Sequence, residues 1–114
     1  MTSKSRHSAG DLVLIPFPFT DLSANKVRPA LVITNPDRDG DFIAVAVTSK
    51  SGHAGSLSLS DTDLATGRLA VASYIRADKL FTFSVDIVRK HIGSVKPAVV
   101  QSALAVLCPV LGCK

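Results

Sequence analysis

The chain contains no glutamate: all nine of its acidic residues are aspartate. Aspartate bonds to its own neighbouring backbone and suits helix interiors poorly, so this acid set points to turns and short connections in a strand-rich fold. Cysteine is nearly missing too. Cys108 and Cys113, both at the C-terminal end, are too few for a disulfide framework or a zinc site and are expected as reduced thiols. The longest apolar run, around Ala103 to Leu111, falls far short of the ~20 residues that a bilayer-crossing helix needs. Met1 to Ala9 is polar and basic, without the apolar stretch of a secretory leader. It is expected as a loose tail ahead of a single domain over residues 10–114. The expectation is a cytoplasmic globular protein that makes no membrane contact.

An excess of charge is also lacking. Thirteen basic residues against nine acidic ones give a net +4. Setting Lys4 and Arg6 aside with the tail leaves 11 against 9, or +2. That is too little to argue for a nucleic-acid partner from bulk charge, so only a local basic patch can carry such a role. No glycine-rich phosphate loop is present. Asp37-Arg38-Asp39-Gly40-Asp41 looks like a calcium loop, but its glycine is misplaced and no glutamate follows anywhere. Ser23-Ala24-Asn25-Lys26 fits a Ser-x-x-Lys pattern without the partner motifs that give it meaning. No metal and no cofactor are expected.

What is present is a core. Hydrophobic residues make up 46% of 114 and mean hydropathy is +0.32, enough to bury one domain's interior. Gly10 to Phe19 reads as a first strand apolar on both faces, interrupted where Pro16 and Pro18 cannot donate to a ladder. Thr20 to Val27 is a polar loop. Pro29 pushes Arg28 toward extended geometry, so a second strand runs from Arg28 to Thr34. After the breaker-rich turn Asn35 to Gly40, a third strand covers Phe42 to Lys50, with Phe42, Ala44, Ala46, Thr48 and Lys50 on one face. Ser56 to Ser60 alternates as a half-exposed strand does. Asp61 to Gly67 reads as a turn or short helix, Leu69 to Arg76 as a strand, and Asp78-Lys79-Leu80 as the lead into a short segment ending near Ser84. Asp86 to Val95 combines a helical turn and a short strand. Pro97 opens a helix with Val100, Leu104 and Leu107 on one face, and Pro109 is expected to stop it. The pattern is that of a mainly β, compact barrel of five to seven strands with one C-terminal helix.

Arginine and threonine stand out as chemistry. Arg28 sits at the mouth of a buried strand, and its planar charged fork matches phosphate oxygens. Thr48 belongs to the Thr48-Ser49-Lys50 triplet that closes the next strand. Antiparallel neighbours put the start of one and the end of the other at the same end of the sheet, where a guanidinium and a hydroxyl can share one groove. Lys26, Lys50, Arg76 and Lys79 are candidate phosphate contacts along it. Phe17, with Phe19, is a candidate for stacking on a base, though strand spacing also suits the core. Of the three histidines, His7 lies in the tail and His91 has nothing local to orient it. His53, in a glycine-flanked loop just after Thr48-Ser49-Lys50, is the one able to approach the groove.

These pieces resemble, in order and spacing, the MazF/PemK-like toxins of type II toxin–antitoxin systems. The resemblance spans about Gly10 to Leu107. It rests on Gly10-Asp11-Leu12-Val13, Phe17-Pro18-Phe19-Thr20, Val27-Arg28-Pro29-Ala30-Leu31-Val32 and Val47-Thr48-Ser49. Ser73-Tyr74-Ile75-Arg76-Ala77-Asp78-Lys79-Leu80 looks like a later segment of the shorter PemK-like branch. The resemblance implies an SH3-like β-barrel with a C-terminal helix and a homodimer. It also implies a cognate antitoxin lying across the active-site groove, and sequence-selective, metal-independent cleavage of single-stranded RNA. The family's catalytic arginine and threonine fall on Arg28 and Thr48, and Thr20 and Ser49 join the RNA-contacting set. The chemistry so implied is attack of a ribose 2′-OH on its own phosphorus, leaving 2′,3′-cyclic phosphate and 5′-OH ends. This chain departs from longer members at Pro16, where some carry an acid, and at Tyr74, where some carry glutamine. Two other readings share the barrel: a CcdB-like poison that binds gyrase and cuts nothing, and a non-catalytic RNA-binding barrel.

Overall fold

Seven segments take extended geometry in the computed structural model, which describes residues 7–16, 27–52, 56–69 and 71–113 apart from the side chain of Asp78. They are β1 (Asp11–Ile15), β2 (Arg28–Val32), β3 (Asp41–Thr48), β4 (Ser56–Leu59), β5 (Leu64–Gly67), β6 (Ser73–Ser84) and β7 (Lys90–Val95), followed by the helix α1 (Pro97–Leu111). Single 3₁₀ turns at Asp61–Asp63 and Val85–Ile87 precede β5 and β7. All the strands join one antiparallel sheet in the order β4-β6-β3-β2-β1-β7-β5. Register shifts interrupt the β1–β7, β3–β6 and β5–β7 ladders, and such irregularities bend a twisted sheet into a curl. The result is a half-barrel, as the mainly β reading anticipates.

β1 runs inside the sheet between β2 and β7 and is apolar on both faces. Leu12 points into a cluster with Leu31, Val45, Val47 and Ile75, whereas Val13 and Ile15 join Ala30, Val32, Phe42 and Phe83 on the other face. Burying each larger side chain contributes about 1.5–3 kcal/mol relative to leaving it exposed. The strand stops at Ile15, immediately before Pro16, whose missing N–H cannot extend the ladder. The remainder of the expected first strand, and nearly all of the polar loop after it, lie outside the described residues.

α1 covers only the first of these clusters. Its buried positions are Ala103 and Leu107, and Val99, Val100 and Leu104 pack beside them, the spacing expected of one helical face. Pro97 stands at the first turn, as expected. Pro109 does not stop the helix, which continues to Leu111. So near the end a proline forfeits one bond, while the carbonyls it leaves are answered by the chain that follows. Gly112, in left-handed geometry, donates to the Pro109 carbonyl, and Cys113 donates to that of Cys108. The same turn corrects the reading of the cysteines: Cys108 and Cys113 are joined as a disulfide, their Cα atoms 5.0 Å apart. A spacing of five residues reaches back across a helix end only once the left-handed glycine has reversed the chain.

Two other segments differ from expectation. β6 is one strand of 12 residues rather than two pieces, because its ladder with β3 resumes at Leu80 after a three-residue bulge at Ala77, Asp78 and Lys79. Asp61 to Gly67 divides into a 3₁₀ turn and β5. β5 meets β7 at Gly67 and Gly93, where the two backbones almost touch. A methyl group on Gly67 runs into the Ile92 carbonyl and lies 2.7 Å from the Gly93 Cα, and φ there is +84°. We expect Gly67→Ala to lower stability by about 2–4 kcal/mol, read as a shift of the urea midpoint. An unchanged midpoint refutes this account of the β5–β7 contact. Among the described residues no helix is long and apolar enough to cross a membrane.

Candidate active site

Arg28 is the first residue of β2 and Thr48 the last of β3. The ladder pairs Val32 with Ala44, Leu31 with Val45 and Ala30 with Ala46. Continued by one more two-residue step, this register sets Arg28 across from Thr48. Facing residues on antiparallel neighbours project to the same side, with Cβ atoms about 4.5–5.5 Å apart. The continued register places residues remote in the chain on one face, at one end of the sheet. On the other flank of β3, Ala46 pairs with Arg76 and Thr48 with Tyr74, which adds a second guanidinium to the same face.

The bulge in β6 opens the surface beside these groups. Ala77 turns inward and is fully buried, while Lys79 is exposed. Between the bulge and the strand ends lies a cavity of about 560 Å³. Arg28, Thr48, Arg76 and Lys79 line it with polar atoms, and Ala46, Val47, Leu80 and Phe81 supply the remaining wall. Among the described lining residues, three cations and one hydroxyl thus converge without a carboxylate. Such a site attracts anions, and the fork of arginine suits phosphate oxygens in particular.

Thr48 is held for donation. Its Oγ1 accepts the Lys50 backbone N–H at 3.1 Å, which uses a lone pair and leaves the hydroxyl hydrogen for another acceptor. The same bond folds Ser49 and Lys50 into an exposed turn past the strand, and neither residue lines the cavity. Of the remaining RNA-contact candidates, Phe17, Thr20, Lys26 and His53 lie outside the described residues. Ala46, Val47, Leu80 and Phe81 join the lining without a local signal in the sequence. Nothing in the polar run Arg76 to Lys79 betrays a bulge that brings Leu80 and Phe81 to the cavity rim.

His91 does have an orienting partner. Its Nε2 lies 3.4 Å from the Oδ1 of buried Asp11, whose other oxygen accepts the Ser8 N–H at 2.9 Å, and the His7 ring stacks 6.3 Å away. This cluster sits at the start of β1, the end opposite Ile15 and its neighbour Arg28. A further cavity of about 590 Å³ beyond the β2–β3 turn is lined by His7, Asn35, Asp37, Arg38 and Asp86 among others. Its two carboxylates make it a poor receptor for a polyanion. Among the described residues, no three His, Cys, Asp or Glu side chains are grouped to hold a metal ion.

Solved structures share this architecture. An endoribonuclease in complex with its cognate antitoxin, from a mycobacterial species, superposes with a TM-score of 0.72 at 20% identity, over 97% of this chain and 98% of that one. MazF from Deinococcus radiodurans gives 0.73 at 24% identity, covering 93% and 96%. The MazE–MazF complex of the same organism gives 0.72 at 23%, covering 95% and 97%. At such identities the likeness speaks to the fold alone. No match was found among curated protein sequences. At the level of family, residues 8–111 match the model of the PemK-like, MazF-like toxins of type II toxin–antitoxin systems, and the chain belongs to that family.

Proposed function

We propose that this protein is an endoribonuclease toxin that cuts single-stranded RNA by intramolecular transesterification. The observation that carries this reading is the cationic cavity that Arg28 and Thr48 line together. In the proposed reaction the 2′-oxygen attacks the adjacent phosphorus and loses its proton as the bond to the 5′-oxygen breaks. The departing 5′-oxygen takes up a proton, leaving a 2′,3′-cyclic phosphate on one fragment and a 5′-OH on the other. Negative charge gathers on the non-bridging oxygens in the transition state. Arg28 stabilises it electrostatically, since an arginine stays cationic and is ill-suited to removing a proton. Thr48 donates its hydroxyl hydrogen to one of those oxygens. Arg76 and Lys79 hold flanking phosphates.

The same reading takes the protein to be a cytoplasmic homodimer restrained by an antitoxin. A flexible antitoxin segment that folds over the cavity would mask the cations until it is removed. Membership of the toxin family supports this reading, and the mycobacterial protein of the same fold is an endoribonuclease in complex with its cognate antitoxin.

The direct test is incubation of the purified protein with a defined single-stranded RNA, followed by chemical mapping of the new ends. We expect 2′,3′-cyclic phosphate and 5′-OH termini, and no cleavage of a copy in which every ribose is 2′-deoxy. Fragments ending in 5′-phosphate, or RNA left intact by folded protein, exclude the proposed chemistry.

A further inference from the structure

The transesterification needs a proton at the departing 5′-oxygen, which leaves poorly as a bare alkoxide. An arginine stays cationic, and the Thr48 hydroxyl hydrogen is engaged with a non-bridging oxygen. A general acid beside the phosphorus typically raises such a rate by about a hundred- to ten-thousandfold. Thr48 pairs with Tyr74 on β6, and Tyr74 pairs in turn with Ser58 on β4. The β2–β3 register, continued, sets Arg28 on the other flank of Thr48. Arg28, Thr48, Tyr74 and Ser58 thus form one row across four strands, on a single face of the sheet. Thr48 stands inside that row, with a guanidinium on one neighbouring strand and a phenol on the other. Tyr74 also borders the cavity along its own strand, since both Thr48 across from it and Arg76 two residues on line the cavity.

We propose that Tyr74 is a further catalytic residue, the general acid that protonates the departing 5′-oxygen. This deepens the nuclease reading and rests on it for the position of the phosphate. In-line displacement sets the entering and leaving oxygens on opposite sides of the phosphorus. With Thr48 on a non-bridging oxygen, those two oxygens point along the row, the 2′-oxygen toward Arg28 and the 5′-oxygen toward Tyr74. Facing side chains on neighbouring strands have Cβ atoms about 4.5–5.5 Å apart, and an aromatic one reaches on to diagonal positions. A phenol on that flank therefore comes alongside an oxygen of the group that Thr48 holds. Tyr74 is half-buried, which supports the ring and leaves part of it open to substrate. Lys79 lines the cavity too, but it lies past Arg76 in the β6 bulge, off the row of Thr48, and suits a flanking phosphate. As the bond from the 2′-oxygen to phosphorus forms and that to the 5′-oxygen breaks, the phenol proton passes to the 5′-oxygen. The proton lost from the 2′-OH returns through water and restores the phenol.

The test uses the full chain and two versions of one single-stranded RNA, ordinary or with sulfur replacing the 5′-oxygen at the linkage that the parent cuts. A thiol ionises far more readily than an alcohol, so the sulfur departs as thiolate and needs no acid. Rates are measured under single-turnover conditions, with melting temperatures checked against the parent. Tyr74→Phe keeps the ring and deletes only the hydroxyl. We expect it to slow cleavage of ordinary RNA by about a hundredfold, yet to cut the sulfur-bridged strand within about twofold of the parent. Lys79→Gln, which loosens a flanking phosphate, should lower both rates by the same factor. A folded Tyr74→Phe variant that is equally slow on both strands, or as fast as the parent on ordinary RNA, overturns the acid role. So does rescue of Lys79→Gln by the sulfur, which would pass that role to the lysine. Ordinary RNA left intact by the folded parent overturns the nuclease reading instead, and the acid role with it.

Discussion

Replacing Arg28 with alanine is expected to slow RNA cleavage by about a thousandfold, equivalent to ~4 kcal/mol of lost transition-state stabilisation. Charge on the phosphorane oxygens exceeds that on the ground-state diester, so the loss should fall mainly on kcat, with KM changing little. Lysine at this position keeps the charge and gives up the planar fork, and it should restore only part of the rate. Stability should hold, because Arg28 is exposed at the outer end of β2 and surface changes of this kind stay within about 0.5 kcal/mol. Single-turnover cleavage and urea melts on the same preparations separate the two quantities. A variant that cuts at the parental rate removes Arg28 from the mechanism.

The second large effect is expected at Thr48. Thr48→Val keeps the shape and β-branching of the side chain but deletes the hydroxyl, and should cost about a hundred- to a thousandfold in rate. Thr48→Ser retains the donor and should stay within about tenfold of the parent. Stability is a separate matter here. Valine also loses the bond from the Lys50 N–H, worth about 0.5–1.5 kcal/mol, so some weakening of the turn after β3 accompanies the loss of rate. The serine variant separates these effects, since it keeps both the turn and the donor. Equal rates for the valine and serine variants exclude a hydrogen bond from this hydroxyl.

Both positions could be placed from sequence because local rules decide them. Proline after Arg28 settles where β2 begins, and strict alternation along β3 puts Thr48 on the face of Phe42, Ala44 and Ala46. Register then does the rest. The two-sided apolar character of β1 and the helical spacing of Val100, Leu104 and Leu107 were legible for the same reason. Three features were not. A bulge in β6 adds residues without changing composition, so alternation read across Arg76 to Leu80 splits one strand into two. Continuation past Pro109 depends on Gly112 and Cys113 answering the final carbonyls, a tertiary arrangement of the chain end that no residue count shows. The pairing of His91 with Asp11 joins opposite ends of the chain through the β1–β7 ladder, and nothing beside His91 announces it.

α1 covers the cluster around Leu12 and Val45, whereas Arg28 and Thr48 project from the other face of the sheet, with Val13 and Ala44. A bead, a sensor chip or a fluorophore coupled through the final turn would therefore leave the mouth of the pocket pointing away from its attachment. Opening the Cys108–Cys113 link with a mild thiol supplies two handles for such coupling, so an immobilised toxin can be washed, loaded with oligonucleotide and assayed in place.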